Sequence, residues 1–397
     1  MSFLPHCPVD RPALRLSIHD SIHLIHREDW EKVANDARPY LCYDHLMALE
    51  DVMVGSMGFR YALFYCEQYQ PIGIAYFQLA ELVDNGSDHR DAVRRLGAGL
   101  GARIVKDLKV RSLVCGNIFH CGEHGAHFIN GIPHDEQLKA LETAMRQLRS
   151  DERSGPKPSV MIFKEVGAGQ INNAEVLENK GYHPLAMDVN MVMNVDPGWK
   201  DLNGYTNALN SKARTRINSI MGRSSALEIK DLTSEAIQQA IPDLQKLFNE
   251  VLDRAPFIFG RLNVAVYAPW KTLLGDKLMF HGFYLNDELV GFSAAFIHHD
   301  TLDAQFVGIN YDLDQEHFIY QRMLIDLLEY ALENDLRTIK FGRTAEQAKS
   351  NIGALPQPLV WYVKHRNRLA NKVIGPFIRG VVPNKFELRE PFKKVTA

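Results

Sequence analysis

The 397-residue sequence lacks several features that would assign it to a special class of protein. No apolar run approaches the roughly 20 residues that a membrane-spanning helix requires. The five cysteines are odd in number and form no Cys-x-x-Cys pair, so a disulfide framework is not expected. A strong charge of one sign is also missing, because the net charge is only −3. This balance argues against a protein that coats nucleic acid, and DNA is not an expected partner.

Motifs that mark three common enzyme classes are absent as well. The sequence contains no Gly-x-Ser-x-Gly, no P-loop and no dinucleotide fingerprint, which disfavours hydrolase, NTPase and dehydrogenase functions. The N-terminal residues MSFLPHCPVDRP show no basic segment followed by an apolar one, so no secretory signal is expected. We therefore expect a cytoplasmic protein. Apolar residues make up 46% of the chain and charged residues 23%, as in ordinary globular proteins.

The clearest secondary-structure pattern lies between Thr301 and Ala354. It predicts a strand over 302–309, a polar loop over 310–315, a long helix with apolar residues every three or four positions, and a short strand over 337–341. Gly342 then begins a polar segment. Because ligands of α/β units collect at the carboxyl ends of strands, the polar residues of this segment are the first candidates for a functional site.

The two halves of the chain share an order of predicted elements. Each has helices, a hairpin, a further strand, a helix, a strand, a short polar helix and a closing strand. Asp196, Pro197 and Gly198 end a strand, after which the pattern restarts. The sequence therefore predicts an α/β fold of two domains, 1–196 and 197–397.

Short motifs in both halves resemble the GNAT-like acyl-CoA N-acyltransferase superfamily, in particular its two-domain Fem-type branch of peptidoglycan biosynthesis or recognition proteins. The motifs are residues 287–292, 307–309 with 320–321, 342–349 with 353–354, 212–216, and 115–117 with 122–123. The resemblance extends over residues 25–370. It implies two tandem GNAT-like domains, each a mixed, mainly antiparallel sheet flanked by helices, with the reacting centre in the second. It also implies transfer of an acyl group from a small-molecule donor, acyl-CoA first, to an amine, with no permanently bound cofactor.

The segment 310–316 departs from the family pattern. Members that use acetyl-CoA carry an Arg/Gln-x-x-Gly-x-Gly/Ala loop, whose backbone N–H groups hold the pyrophosphate. Here the segment reads NYDLDQE, which has no glycine and three carboxylates that would repel an anion. The Fem-type branch commonly lacks this loop, and some of its members use aminoacyl-tRNA. An alternative is therefore an aminoacyl-tRNA-dependent transferase that acts on a peptide or cell-wall precursor.

Glu346 and Lys349 are the first catalytic candidates. They follow a strand end three residues apart, so on a helix they would face one way. Amide formation needs a base for the amine proton and a group that steadies the developing oxyanion. Tyr320 is a third candidate, as the acid that protonates the leaving group. The alternatives are a solvated helix pair for the first two residues and a core tyrosine for the third.

Three residues near these candidates are expected to bind substrate. Arg343 suits a carboxylate or phosphate, or else it closes an ion pair with Asp303 or Glu346. Asp303 and Gln305 alternate along one strand, so they share a face that lines a pocket or is simply exposed.

Lys212 and Arg216 lie four residues apart in a segment that also contains Arg214 and Arg223. We expect them on a basic helix that is either a clamp for an anionic substrate group or an ordinary solvated face.

The segment 116–131 in the first half is rich in histidine. Asn117 and Glu123 hold a place similar to substrate-lining residues, with a structural loop as the alternative. His120 and His124 have the spacing of zinc ligands on a helix, but no second ligand pair of recognised spacing occurs, so no metal is expected.

These residues favour direct attack in a ternary complex, because no activated serine or cysteine is evident. A non-catalytic recognition protein on the same fold is a further alternative. Against it, a binding module would gain little from Glu346 and Lys349 together at a strand end. The oligomeric state is left open by the sequence.

Overall fold

The computed structural model describes residues 14–34, 39–82, 110–122, 124–151, 157–166, 175–255, 260–379 and 386–393. Its strands are β1 (Arg15–His19), β2 (Gly58–Tyr65), β3 (Pro71–Leu82), β4 (Val110–Cys115), β5 (Ala126–Phe128), β6 (Val160–Val166), β7 (His183–Asn194), β8 (Glu228–Asp231), β9 (Leu278–Leu285), β10 (Glu288–His298), β11 (Thr301–Ile309), β12 (Thr338–Lys340) and β13 (Leu355–His365). Its α-helices are α1 (Arg27–Ala34), α2 (Tyr43–Met53), α3 (His134–Ser150), α4 (Glu175–Asn179), α5 (Leu202–Ala208), α6 (Ser211–Arg223), α7 (Ser234–Gln239), α8 (Ile241–Arg254), α9 (Tyr267–Leu274), α10 (Tyr311–His317), α11 (Ile319–Glu333), α12 (Glu346–Ser350) and α13 (Arg368–Arg379).

The chain divides into two compact units. The first contains residues 1–187, 257–260 and 359–382, and the second contains 188–256, 261–358 and 383–397. Each unit therefore includes residues from both halves of the sequence. The predicted division at 196/197 rests on the sequence pattern and stays a prediction.

The sheet of the first unit is antiparallel except for one pair. Its strands lie in the order β1-β2-β3-β4-β6-β13, with β5 paired to β3. The exception is β4 with β6, which run parallel from Ser112 and Val160 onward. β13 closes this sheet, because its residues 360–365 pair with β6.

The sheet of the second unit follows the same plan. Its strands lie in the order β7-β12-β11-β10-β9-β8, and β11 with β12 is the parallel pair. The last residues of β7, Val192 to Asn194, pair with β12 and close this sheet. In both units the parallel pair is joined by a long helix, which is the connection that parallel strands require.

Helix α11 shows how the apolar spacing builds the core of the second unit. Leu324, Leu327, Leu328 and Ala331 are all at most 4% exposed and pack among the apolar side chains of the sheet. Burying each leucine contributes about 1.5–3 kcal/mol, so the stripe fixes the helix on the sheet. The prediction of a helix here is confirmed.

The predicted fold class, a mixed and mainly antiparallel sheet flanked by helices, is confirmed in both units. The prediction of a loop over 310–315 is wrong, because the helix α10 begins at Tyr311. Asn310 caps it through its side chain, which accepts a hydrogen bond from Asp312 N at 3.1 Å. An Asn cap followed by carboxylates in the first turn favours a helix start.

Within the described part of the chain, each helix is too short or too polar to cross a bilayer.

Candidate active site

The sheet of the second unit opens at the carboxyl ends of its two parallel strands. β11 and β12 pair over only three positions, ending at Asp303 and Lys340. Beyond them β11 continues to Ile309, whereas the chain after β12 stays with β7. There Phe341 N donates to Met191 O at 2.8 Å, and Met191 N donates to Gly342 O at 3.1 Å. An opening between strand ends is where α/β folds bind their ligands.

A β-bulge shapes the β11 side of this opening. Gln305 and Phe306 together lie opposite the single residue Ala294 of β10. Bulges re-aim side chains and often lie beside active sites. Gln305 is half-buried, and its Nε2 donates to the carbonyl of Asp303 at 3.4 Å. Asp303 itself is buried, with 4% of its surface exposed.

On the β12 side, the chain turns through an unusual backbone conformation. Gly342, Thr344 and Ala345 have φ angles of 75°, 64° and 50°. A positive φ is uncommon for alanine and an outlier for β-branched threonine. Such conformations persist where surrounding contacts hold them, and they cluster at functional sites.

Lys349 supplies one of those holding contacts. Its Nζ donates to Arg343 O at 2.6 Å and to Gly342 O at 3.2 Å, and the residue is 4% exposed. The structure therefore places the predicted catalytic ammonium against the backbone of the turn. Arg343 lies in the same turn and is half-buried.

Glu346 and Tyr320 lie on two different helices, close enough for the charge of Glu346 to act on the phenol. Glu346 is the first residue of α12, is half-buried, and forms no hydrogen bond or ion pair with any described residue. Burial raises the pKa of the half-buried Tyr320, and the charges of Tyr311, Glu346 and Asp314 raise it further. The phenol therefore stays protonated at neutral pH. A carboxylate that can accept a proton thus lies near a hydroxyl that can donate one.

A small cleft is lined by residues of α6, of α11, and of α12 and the two positions after it. Arg216, Gln321, Ala348 and Asn351 line it together with four apolar side chains. Gln321 Oε1 is buried and has no hydrogen-bond partner among the described residues. Leaving a buried amide oxygen unpaired is costly, so a ligand donor at this position would be stabilised.

The four cations of α6 divide into two groups. Arg214 Nη2 donates to Leu209 O at 3.1 Å, which fixes the turn before the helix. Arg223 donates to Gln315 O at 2.6 Å and to Glu316 O, so it caps the carboxyl end of α10. The predicted binding residues are the other two, Lys212 and Arg216. Both are exposed, and neither forms an ion pair or hydrogen bond with the residues that the structure describes.

The amino end of α11 is occupied by a side chain of the protein itself. Phe318 adopts the left-handed conformation between α10 and α11, and Asp314 Oδ1 accepts from Tyr320 N at 2.8 Å. Burial raises the pKa of Asp314, and this effect exceeds the lowering by the backbone hydrogen bonds from Tyr320 and Ile319. The place where a helix would bind an external phosphate is therefore filled by a carboxyl group.

Two substitutions of Asp314 test this cap. Asp314→Ala is expected to lower the free energy of unfolding by about 1 kcal/mol, the usual loss of an N-terminal cap. Asp314→Asn keeps the acceptor oxygen and removes the charge that burial disfavours, so it should be at least as stable as the parent at pH 7. A raised pKa means that the folded parent binds protons more readily than the unfolded chain. The free energy of unfolding of the parent should therefore rise relative to that of Asp314→Asn as pH falls through that pKa. Urea unfolding of the three proteins from pH 7 to pH 4 measures this, and an Asn variant as unstable as the Ala variant would contradict it.

In the first unit, Asn117 is fully buried. Its Oδ1 accepts from Phe119 N at 3.0 Å, so it shapes a turn just beyond β4. Glu123 lies outside the described residues. His120 and His124 are both 1% exposed, and in the described ranges no group of three or more His, Cys, Asp or Glu side chains could hold a metal ion.

Sequence reasoning missed three residues that surround this turn. Lys164 and Glu165, at the end of β6, form an ion pair of 2.7 Å with both side chains fully buried. The Nε2 atoms of His45, on α2, and His120 are 3.1 Å apart. Burial holds the pKa of His45 well below its usual value, and the nearby His120 lowers it further. The available signal was a Lys-Glu pair ending an otherwise apolar strand. Sequence offers no comparable signal for His45, because its partner is 75 residues away.

Residues 212–350 match the family model described as an acetyltransferase (GNAT) domain. This domain spans α6 to α12, so it contains the opening between β11 and β12 and every site candidate of the second unit. The family model describes residues 212–350 as an acetyltransferase domain, and the predicted GNAT-like resemblance is confirmed over this segment.

Solved structures share the fold over most of the chain. FemX has a TM-score of 0.53 at 9% identity, with 91% of this chain and 100% of that one covered. A tandem GNAT protein from the clavulanic acid biosynthesis pathway has a TM-score of 0.50 at 9% identity, covering 89% and 99%. At these identities the likeness is one of fold. No curated protein matches the sequence.

Proposed function

We propose that the chain is an N-acyltransferase that moves an acyl group from an activated donor to an amine at the opening between β11 and β12. The observation that carries the proposal is a carboxylate unpaired in the described structure, Glu346, at the start of α12 inside the segment that matches the GNAT domain, where its charge acts on the Tyr320 phenol. Glu346 has no partner among the described side chains that would neutralise it, so it is available to accept a proton.

The proposed reaction is a direct attack in a ternary complex. The amine nitrogen attacks the acyl carbonyl while Glu346 accepts the proton that the nitrogen loses. The donor's leaving atom, a thiolate sulfur or a ribose oxygen, takes its proton from Tyr320. Lys349 acts by holding the turn that contains Arg343. We assign the guanidinium of Arg343 to an anionic group of the acceptor, which it can bind through two hydrogen bonds. Asp303 and Gln305 are proposed to line the opposite wall.

Lys212 and Arg216 are proposed to bind phosphate of the donor. They are the cations of α6 that no described side chain engages, and Arg216 lines the small cleft. Asp314 excludes the phosphate position at the start of α11, so the donor must be held elsewhere. We propose acyl-CoA, the donor that the GNAT domain implies.

The occupied helix end favours a second candidate donor. A CoA pyrophosphate normally uses backbone N–H groups at such a position, and here they already donate to Asp314. Aminoacyl-tRNA has a phosphate backbone that Lys212 and Arg216 can engage without that helix end. Both donors are made in the cytoplasm, which is the proposed compartment.

Thermal-shift and mass-spectrometric screening of the purified protein against acyl-CoAs, free CoA and aminoacyl-tRNA tests these proposals. A true donor present at 100 times its Kd stabilises the protein by about 2.7 kcal/mol. Replacing both Lys212 and Arg216 with Ala is expected to raise that Kd by at least about tenfold, because each charge-assisted hydrogen bond contributes roughly 1.5–3 kcal/mol. Lys246→Ala on α8, another exposed lysine, is the matched control.

The outcomes separate the candidates. Stabilisation by acyl-CoA supports the first donor, and stabilisation by charged tRNA alone supports the second. A double variant that binds the donor as tightly as the parent would overturn the role of α6. If neither donor binds, the non-catalytic recognition protein becomes the better account.

A further inference from the structure

Helix α13 of the first unit is unusual in charge. Residues 364–379 contain five Lys or Arg and no Asp or Glu, although the whole chain has a net charge of −3. Four of these cations are exposed: Arg366, Arg368, Lys372 and Arg379. The GNAT domain and the proposed transfer reaction make no use of this segment.

One face of α13 is firmly attached to the first unit. Asn371 donates through Nδ2 to Gly181 O at 2.8 Å, and its Oδ1 accepts from His365 N at 2.8 Å. Gly375 lies against His183, so closely that a Cβ atom would stand 2.7 Å from the imidazole ring. Asn367 caps the helix by accepting from Leu369 N at 2.9 Å. These contacts fix which side of the helix faces outward.

The outward side carries an apolar stripe next to a basic edge. Leu369 and Val373 are 76% and 62% exposed, and Pro376 is exposed beside them. At about 100° of rotation per residue, these three fall in one sector of roughly 60°. Arg368 and Lys372 fall in the adjoining sector of roughly 40° and form the basic edge. Arg379 lies in the same sector, but its Nη2 is 3.5 Å from Nδ1 of His183, so it faces the attached side. A helix attached by one face and presenting this outer face resembles helices that lie in a membrane interface.

We propose that α13 seats the first unit on an anionic lipid surface, with its apolar stripe at the boundary of headgroups and acyl chains and its basic edge on lipid phosphates. Binding to an anionic lipid surface is stabilised by both the apolar stripe and the basic edge of this face. Nucleic acid would engage the cations but would leave Leu369 and Val373 in water. The resulting attachment is peripheral and reversible, and it weakens as salt rises.

Co-sedimentation of the full chain with vesicles tests the proposal. Vesicles of phosphatidylcholine with 30% phosphatidylglycerol, about the anionic content of a charged leaflet, are compared with pure phosphatidylcholine. We expect binding to the anionic vesicles alone, reduced at 0.5 M salt, where the Debye length falls to about 4 Å. Arg368→Glu with Lys372→Glu should lower the partition coefficient by at least about tenfold. Leu369→Ser with Val373→Ser should lower it by about tenfold as well.

Matched controls separate a surface effect from a loss of folding. Val54→Ser removes an equally exposed apolar residue, and Lys246→Glu reverses a cation on another helix, so both should bind vesicles as the parent does. Thermal unfolding of all variants should stay unchanged, because the altered side chains are exposed. Equal binding to neutral vesicles, absence of binding to anionic ones, or normal binding by both α13 variants would overturn the proposal. So would bulk tRNA binding that depends on Arg368 and Lys372 without vesicle binding, which would make α13 a nucleic-acid surface.

Discussion

Replacing Glu346 with Gln is expected to lower kcat by about 10²- to 10⁴-fold while the Kd of the donor changes by less than about twofold. The amide keeps the size and the hydrogen-bonding reach of the side chain but cannot accept the amine proton. Because Glu346 makes no hydrogen bond or ion pair within the described structure, the change disturbs no described contact. The loss should therefore appear in turnover, and the thermal unfolding midpoint should stay that of the parent.

Pre-steady-state turnover and equilibrium donor binding, measured on the same preparations, check this prediction. Glu333→Gln is the matched control, because Glu333 is an exposed carboxylate of α11 in the same domain. It should leave both quantities unchanged. A fully active Glu346→Gln would remove this residue from the reaction, whereas a variant with lost binding would make it a binding group.

The same comparison separates an enzyme from a recognition protein. In a recognition protein, Glu346→Gln would either weaken ligand binding or leave it unchanged. Neither the parent nor the variant would show turnover. Binding retained with turnover abolished is a result that only a reacting carboxylate gives. Tyr320 differs in this respect, because its burial makes any substitution there a change of packing as well.

Local sequence patterns predicted most elements of the fold, because apolar periodicity and turn residues act over a few positions. The strand over 302–309 and the apolar helix α11 are examples. The segment 310–315 misled because its carboxylates suit both a polar loop and the first turn of a helix. Asn310 as a cap decides for the helix, and that signal was available in the sequence.

What the sequence could not predict depends on long-range contacts. The closing strands are an example: residues 360–365 of β13 pair with β6, almost 200 residues earlier in the chain. No local pattern encodes such a partner, so the halves of the sequence cannot show where each unit takes its last strand. The carboxyl cap at Asp314 and the bulge at Gln305 likewise depend on which residues lie opposite once the chain has folded.

For the candidate site, the residue types in the sequence indicated which side chains to consider, but not which contacts each of them makes. Glu346 and Arg343 follow β12 within a few residues, as the sequence already showed, and their catalytic and binding roles stay predictions. Lys349 is drawn instead to the carbonyls of Gly342 and Arg343, because a buried ammonium needs hydrogen-bond acceptors and the strained turn exposes two. On α6, charge alone could not separate the exposed Lys212 and Arg216 from Arg223, which caps α10.

Replacing Lys164 with Met is expected to lower the free energy of unfolding by about 3–5 kcal/mol. Lys164 and Glu165 are completely buried at 2.7 Å, so removing the ammonium leaves a carboxylate in an apolar interior with its main counter-charge gone. The ammonium also donates to His120 O at 2.6 Å, and Glu165 accepts from Gly122 N. The pair thus holds the segment after Asn117 at two points, His120 and Gly122.

Urea unfolding of four proteins measures this: the parent, Lys164→Met, Glu165→Met and the double variant. The double variant should be less destabilised than the sum of the single variants, because removing both charges leaves neither of them unpaired. Lys139→Met breaks an exposed pair on α3 and should change the midpoint little. Additive single effects would show that each residue acts through its backbone contacts alone. A strongly coupled pair would instead establish that the turn after β4 is fixed by buried charge, and that the sequence marks it by two charged residues ending an apolar strand.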